Sequence, residues 1–352
     1  MTKNMIKIKL FISLLLRVYY TIKKAPNVSF NNIDVNYIIW VPDFFTFKFF
    51  LSDNFQKAWF TYYHLIKSGN TASIYFKMGV GKFYRKKIIF FGSETYNVFK
   101  FSNYVNSLIF ISENLEKQNN EVFPNKLEVK LWENKGYMHE CFNTLEIRTP
   151  NSEIVNLNGS IINLKNFIFP YLLKEEHSCS SNGVHKITKW EDIEFLESKT
   201  ELTKNNKRVI VQKLLNIRRD LRVIIVGTEI VLHYWRINPS EEWKPTTTGL
   251  GSNVDFDNFP EKWRSWIFDQ FYKLNIRTGA FDIAWEDDDT NKEPFILEVS
   301  PFYQPNPRPH NNYDLINYGK WKKSVRFSNS YQESMIDIIY KIQYHFVKQL
   351  IN

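Results

Sequence analysis

The chain has 352 residues, of which 43% are hydrophobic, 17% aromatic and 24% charged. That composition excludes a disordered, collagen-like or coiled-coil chain and leaves room for roughly two to three domains with sizeable cores. Lysine and arginine number 46 against 37 acidic residues, a net charge of +9. Apart from a small cluster at Lys82, Arg85, Lys86 and Lys87 the basic residues are scattered, so solvated surface or an anionic substrate accounts for the excess better than nucleic-acid binding.

Residues 6–22 are mostly apolar, with Lys7, Lys9 and Arg17 among them. The uncharged part, 10–16, is far shorter than the ~20 residues a bilayer requires. No small-residue cleavage site follows, so no signal peptide is expected. An element packed on its own domain is preferred here to an amphipathic helix on a membrane surface. From Asp34 onward the pattern alternates. Tyr37-Ile38-Ile39-Trp40-Val41 reads as a strand closed by Pro42-Asp43. Residues 58–66 have helical spacing and stop at Ser68-Gly69-Asn70. Residues 73–76, 87–91 and 107–111 read as further strands, and strands alternating with helices predict a parallel sheet. Gly79-Val80-Gly81 reads as a turn rather than a phosphate loop. The polar stretch 113–125, ending in Pro124-Asn125, marks a domain boundary. At the far end, Met335, Ile338, Ile339, Ile342, Phe346 and Ile351 predict one closing helix over 330–352.

Between these ends lie the stretches that carry chemistry. Lys135 opens a predicted helix. A strand over 169–174 ends in Lys174, and His177-Ser178-Cys179-Ser180-Ser181-Asn182-Gly183 follows. Small residues let backbone N–H groups form an anion-binding nest, and a lysine adds a point charge for phosphate. Strands over 209–215 and 220–226 flank a polar connector; Asp220 can accept from hydroxyls and Arg222 can fork onto an oxyanion, or the two can form an ion pair within a hairpin. A strand over 231–236 carries Arg236, and His233 beside it reads as structural because no second ligand stands at metal spacing. Two further apolar strands, 279–285 and 295–302, each hold one carboxylate, Asp282 and Glu298. Lone acids among Phe, Ile and Leu are costly unless paired. Adjacent antiparallel strands would set them side by side around a hard divalent cation; the alternative is a wet face on which each pairs with Lys or Arg. Cys141 and Cys179 form neither a disulfide framework nor a zinc motif and read as reduced thiols in a cytoplasmic protein.

The order lysine, lysine with small-residue loop, strand and acid, arginine, acid, acid resembles the ATP-grasp superfamily, closest to its RimK-like and glutathione-synthetase-like carboxylate–amine ligases, over about 126–307. The resemblance implies an α/β and α+β multidomain chain: a pre-ATP-grasp α/β domain over 1–125, an ATP-grasp small lobe over 126–205, and a large lobe with the C-terminal helix over 206–352, with nucleotide between antiparallel sheets. It implies that Lys135 and Lys174 contact the phosphates of ATP and that a flap including Ser180, Ser181 and Gly183 closes over them. Gln212, Lys213 and Leu214 would form the adenine hinge, and Asp220 would meet the ribose. Arg222 and Arg236 would stabilise the transferring phosphoryl group. Asp282, Glu298 and Ser300 would hold Mg²⁺ or Mn²⁺, with Glu298 bridging two ions. Two residues depart from the family pattern. Ser300 stands where Asn is usual, so that water, Gln304 or Asn306 would complete the metal site, and Gln212 stands where Glu is usual at the hinge. The implied reaction activates a carboxylate as an acyl-phosphate and joins it to an amine, both small molecules, with no part for Cys179. A kinase acting on a small-molecule or saccharide-linked acceptor and a degenerate nucleotide-binding module are the alternatives. Acceptor choice would lie with the first domain and with loops 238–248 and 304–312.

Overall fold

The computed structural model describes residues 3–26, 36–41, 53–76, 83–91, 101–132, 134–178, 181, 183–200, 202–203 and 208–352. The turns expected at Pro42-Asp43 and Gly79-Val80-Gly81, and the loop residues Cys179, Ser180 and Asn182, lie outside them.

The first unit begins with helix α1 (Lys3–Lys24), strand β1 (Tyr37–Val41), helix α2 (Asp53–Lys67) and strands β2 (Ala72–Phe76) and β3 (Lys87–Phe90). Helix α3 (Phe101–Lys117) and strand β4 (Glu121–Phe123) follow. The four strands form a parallel sheet in the order β2-β1-β3-β4. Both faces are covered, which is why β1 and β3 read as unbroken apolar runs rather than alternating ones. Tyr37, Ile39 and Ile89 pack toward α2, and Ile38, Trp40, Ile88 and Phe90 pack with Leu108 and Leu115 of α3. Helix α2 ends where expected: Gly69 takes φ +77°, the left-handed conformation a helix stop favours, and Asn70 N–H donates back to the Leu65 carbonyl at 3.0 Å. One expectation fails. Residues 107–111 are not a strand but part of the 17-residue α3. A five-residue apolar run fits a buried helix as well as a strand, and only the length of the whole element separates the two.

Helices α4 (Lys126–Leu131) and α5 (Lys135–Thr144) lead into strands β5 (Ser152–Asn156), β6 (Tyr171–Glu175) and β7 (Val184–Ile187), helix α6 (Trp190–Thr200) and strand β8 (Arg208–Lys213). These strands make an antiparallel sheet in the order β5-β8-β6-β7. Strand β8 thus belongs to the small sheet, not to the large lobe expected from 206 onward. Its burial on both sides of the ladder, between β5 and β6, fixes it there.

Strands β9 (Arg219–Val226), β10 (Glu229–Ile237), β11 (Asn253–Asp255), β12 (Thr278–Ala284) and β13 (Phe295–Ser300), with helix α7 (Arg264–Lys273) between β11 and β12, form the large antiparallel sheet, ordered β11-β10-β9-β12-β13. Strands β8 and β9 are therefore not a hairpin; the chain crosses between sheets at 214–218. Helix α8 (Tyr318–Val325) precedes α9 (Asn329–Ile351), the closing helix. Its Ile342, Phe346, Val347 and Leu350 pack against Tyr37, Ile39 and Leu65 of the first unit and Ile224 and Val226 of the large sheet. The C-terminus thus serves both units rather than the large lobe alone. Helix α1 in turn packs on α9 and α2, so residues 6–22 are an element packed on their own protein.

Candidate active site

Strand periodicity builds the site. Asp220 and Arg222 of β9, Tyr234 and Arg236 of β10, Ala280 and Asp282 of β12, and Glu298 and Ser300 of β13 are spaced by two. Together they line one face over a cavity of about 500 Å³. The alternate residues Leu221, Val223, Trp235, Phe281 and Val299 face the other way, into a core with Met138 and Phe142 of α5 and Phe271 of α7. Register then sets the neighbours. Asp220 lies opposite Arg236, Arg222 lies between Tyr234 and Asp282, and Asp282 lies opposite Glu298. The side-by-side placement of the two acids expected from the sequence is what the register gives.

The charges on this floor are paired. Arg236 Nε donates to Asp220 Oδ1 at 2.8 Å, its Nη2 also engages Asp220 Oδ2, and the same Nη2 lies 2.8 Å from Asp282 Oδ2. Arg222 Nη1 reaches Asp282 Oδ1 at 3.1 Å and Oδ2 at 3.3 Å. Burial alone would raise the Asp282 carboxyl, but Arg222 and Arg236 hold it below the ordinary range. Two acids and two guanidiniums thus neutralise one another. Asp220, expected at the ribose, is buried with both oxygens on Arg236. It positions that arginine instead, because the register places them as direct cross-strand neighbours. The ion pair foreseen between Asp220 and Arg222 does not form; both side chains pair across strands.

The opposite wall comes from the small sheet and α5. Lys174 on β6 lines the cavity with Leu172 and Gln212, while Tyr171, Leu173 and Val211 fill the small lobe's own core. Among the described residues the Lys174 ammonium makes no hydrogen bond or ion pair. Burial pushes its pKa down to about 8; Glu298 and Asp282 oppose the shift and Lys135 adds to it. Lys135, at the start of α5, donates to the Ser178 carbonyl at 2.6 Å and the Ser178 hydroxyl at 3.1 Å, and stands 4.0 Å from Glu298 Oε1. It therefore ties the base of the small-residue loop to the cavity. Ser181 lines the cavity too. Gly183 does not, but its φ of +100° and a Ser178 Cβ only 2.6 Å from where its own Cβ would stand require glycine there. Gln212, Lys213 and Leu214 lie along the cavity edge. The Gln212 amide donates to Ser152 at 2.9 Å, and the Lys213 ammonium pairs with Glu286 at 2.8 Å.

Two residues near the site, Tyr234 and His139, were not read from the sequence as site members. Tyr234 joins the floor by the same alternation that places Arg236, and that spacing could have revealed it. Asn306 also lines the cavity. Its amide nitrogen donates to Tyr234 at 2.8 Å and its oxygen accepts from the Lys322 ammonium at 2.8 Å. An oxygen already facing an ammonium is a poor cation ligand, which counts against Asn306 in place of Ser300. The Ser300 hydroxyl donates to the Phe302 carbonyl. His139, one turn beyond Lys135, is buried with neither ring nitrogen hydrogen-bonded among the described residues. Burial and the nearby Lys174 and Lys135 lower its pKa to about 3, so it is neutral.

Among the described residues no group of three or more His, Cys, Asp or Glu side chains could hold a metal ion. Two carboxylates in direct register do suit one Mg²⁺ whose remaining ligands are phosphate oxygens and water. Asp282 already shares its charge with two guanidiniums, so Glu298 would supply most of the negative charge to such an ion.

No protein-family model matches the sequence, and no curated protein matches it. Solved structures do. A RimK-domain ATP-grasp protein from Sphaerobacter thermophilus DSM 20745 aligns with a TM-score of 0.53 at 11% identity over 89% of this chain and 99% of its own. The D-cycloserine synthetase DcsG aligns with a TM-score of 0.51 at 11% identity over 87% and 99%. Both alignments cover 87% or more of the chain. The chain has the ATP-grasp fold.

Proposed function

We propose that the protein is an ATP- and Mg²⁺-dependent ligase that activates a carboxylate and joins it to an amine. The observation that carries this reading is the convergence of Lys135, Lys174, Arg222, Arg236, Asp282 and Glu298 on one cavity of about 500 Å³ between the two sheets. A triphosphate carries dense negative charge, and Lys174 supplies a buried cation with no ion pair among the described residues. Gln212, Lys213 and Leu214 line the same cavity, and their backbone would serve as the hinge for the base.

Phosphoryl transfer asks little covalent chemistry of a protein; it asks for position and charge. A carboxylate oxygen of the substrate attacks the γ-phosphorus, a new O–P bond forms and the bond to ADP breaks. Arg222 and Arg236, held rigid by Asp220 and Asp282, present fixed positive charge where the transferring oxygens gather it. The amine nitrogen then attacks the acyl carbon, phosphate leaves, and the amine gives up its proton. Glu298 with Asp282 would hold the Mg²⁺, which when bound neutralises charge on the phosphate oxygens. Closure of a loop that includes Ser181 and Gly183 would cover the acyl-phosphate and exclude water.

The test is ADP release from Mg-ATP with paired panels of carboxylates and amines. ADP that depends on both partners, with an amide product, is expected. A stable phosphorylated acceptor formed without an amine would make the protein a kinase. Nucleotide binding that raises Tm with no turnover on any acceptor would make it a binding module. Glu298→Gln, at a half-buried and metal-facing position, is expected to abolish turnover with little change in Tm.

A further inference from the structure

Helix α1 has two opposite faces with different fates. Its inner face is fastened to the protein. Leu14 and Thr21 are buried, Arg17 bonds Asp53 at 3.0 Å and Gln332 at 2.7 Å, and Lys24 bonds Asp337 at 2.6 Å. Its outer face carries Ile8, Phe11, Ile12, Leu15, Tyr19 and Ile22, exposed by between 47% and 59%. At 3.6 residues per turn these six fall within an arc of about 100°, on a helix about 33 Å long. Single exposed apolar residues are ordinary, whereas a continuous stripe of this length marks an interaction surface.

The charge of the helix says what covers the stripe. Over Lys3–Lys24 there are six basic residues, Lys3, Lys7, Lys9, Arg17, Lys23 and Lys24, and no Asp or Glu. Arg17 and Lys24 serve the inner face, while Lys9 and Lys23 are exposed and lie beyond one edge of the stripe. An apolar face bordered by lysine and free of acid is complementary to an anionic lipid surface, where acyl chains take the apolar residues and headgroups take the ammonium groups. Among the described residues no helix is long and apolar enough to cross a membrane. We infer that the outer face of α1 lies in the headgroup layer of an anionic bilayer and that the rest of the molecule, docked on its inner face, works at that surface.

The test is sedimentation of the full chain with vesicles of phosphatidylcholine alone and of phosphatidylcholine with phosphatidylglycerol. Binding to the anionic vesicles, at least about tenfold weaker on the neutral ones and weakened by added salt, is expected. The double variant Phe11→Glu, Leu15→Glu should lose that binding about tenfold or more while keeping its Tm and its Mg-ATP binding. Should it fail to fold, Lys9→Glu with Lys23→Glu, which leaves the apolar residues intact, should lose the preference for anionic vesicles. The inference is overturned if wild type binds neither vesicle. It is equally overturned if α1 substitutions leave binding unchanged, or if they instead dissociate a concentration-dependent dimer that shows no affinity for lipid. Failure here leaves the proposed ligase reaction untouched, since nucleotide binding is read separately.

Discussion

The floor and the wall of the cavity hold the same kinds of residue in opposite states. On the floor, Asp220, Arg222, Arg236 and Asp282 satisfy one another, and each is fixed by at least two contacts. On the wall, Lys174 is as deeply buried yet makes no hydrogen bond or ion pair among the described residues, and Lys135 reaches its nearest carboxylate, Glu298, only at 4.0 Å. Buried charge is normally paired because desolvation is expensive. A wall whose ammonium is only partly offset by Glu298 and Asp282 and makes no ion pair among the described residues is suited to an anion, whereas the floor is a template whose charges pair within it.

The sharpest way to break this contrast is Asp282→Asn. It leaves two buried guanidiniums short of a partner, so a loss of about 3–5 kcal/mol is expected on top of lost turnover, seen as a marked fall in Tm. An unchanged Tm would mean the floor is not the interlocked network described. Lys174→Met should do the reverse on the wall. ATP affinity, measured by titration calorimetry, should fall about 10- to 100-fold, the worth of a hydrogen bond from a charged donor. Stability at neutral pH should rise, because the folded protein no longer carries a desolvated charge. The sign follows from the depressed pKa of about 8 against an ordinary 10.5. Between those values the unfolded chain binds the extra proton, so wild-type stability climbs as pH rises through that window. Lys174→Met should lack that climb in denaturant titrations across pH.

Nucleotide affinity should run the other way. As pH rises past about 8 the Lys174 ammonium is lost, and ATP binding should weaken by up to about tenfold per pH unit. A profile equally steep in Lys174→Met would assign the titration to another group. The smallest effect is expected at Gly319, whose Cβ would collide with the Thr248 backbone carbonyl in the loop that carries Thr246 to the cavity. Gly319→Ala should raise the KM for the acceptor a few-fold and lower Tm as well, because a Cβ pressed onto a backbone oxygen forces the loop to move. A lower Tm with an unchanged KM would make the contact structural only.

Much of the site was legible because chemistry left local marks. An acid inside an apolar strand, as at Asp282 and Glu298, stands out wherever the strand lies, and period-two spacing puts Ser300 and Arg222 on known faces. What could not be read was which strand neighbours which. Asp220 reads as a hydroxyl acceptor until β10 is slid alongside and Arg236 falls opposite it. In the same way β8 reads as the partner of β9 until the small sheet claims it, and 107–111 reads as a strand until the whole of α3 is seen.

From sequence alone came the alternating first unit, the closing helix, the order of the charged residues and the resemblance to ATP-grasp ligases. These rest on periodicity and local propensity, which act over a few residues. Only tertiary structure decided the strand order, the pairing that neutralises the floor, the lone ammonium on the wall and the face of α1 left bare. Each depends on residues far apart in the chain meeting in space, and a linear pattern does not encode which of them are left without a partner.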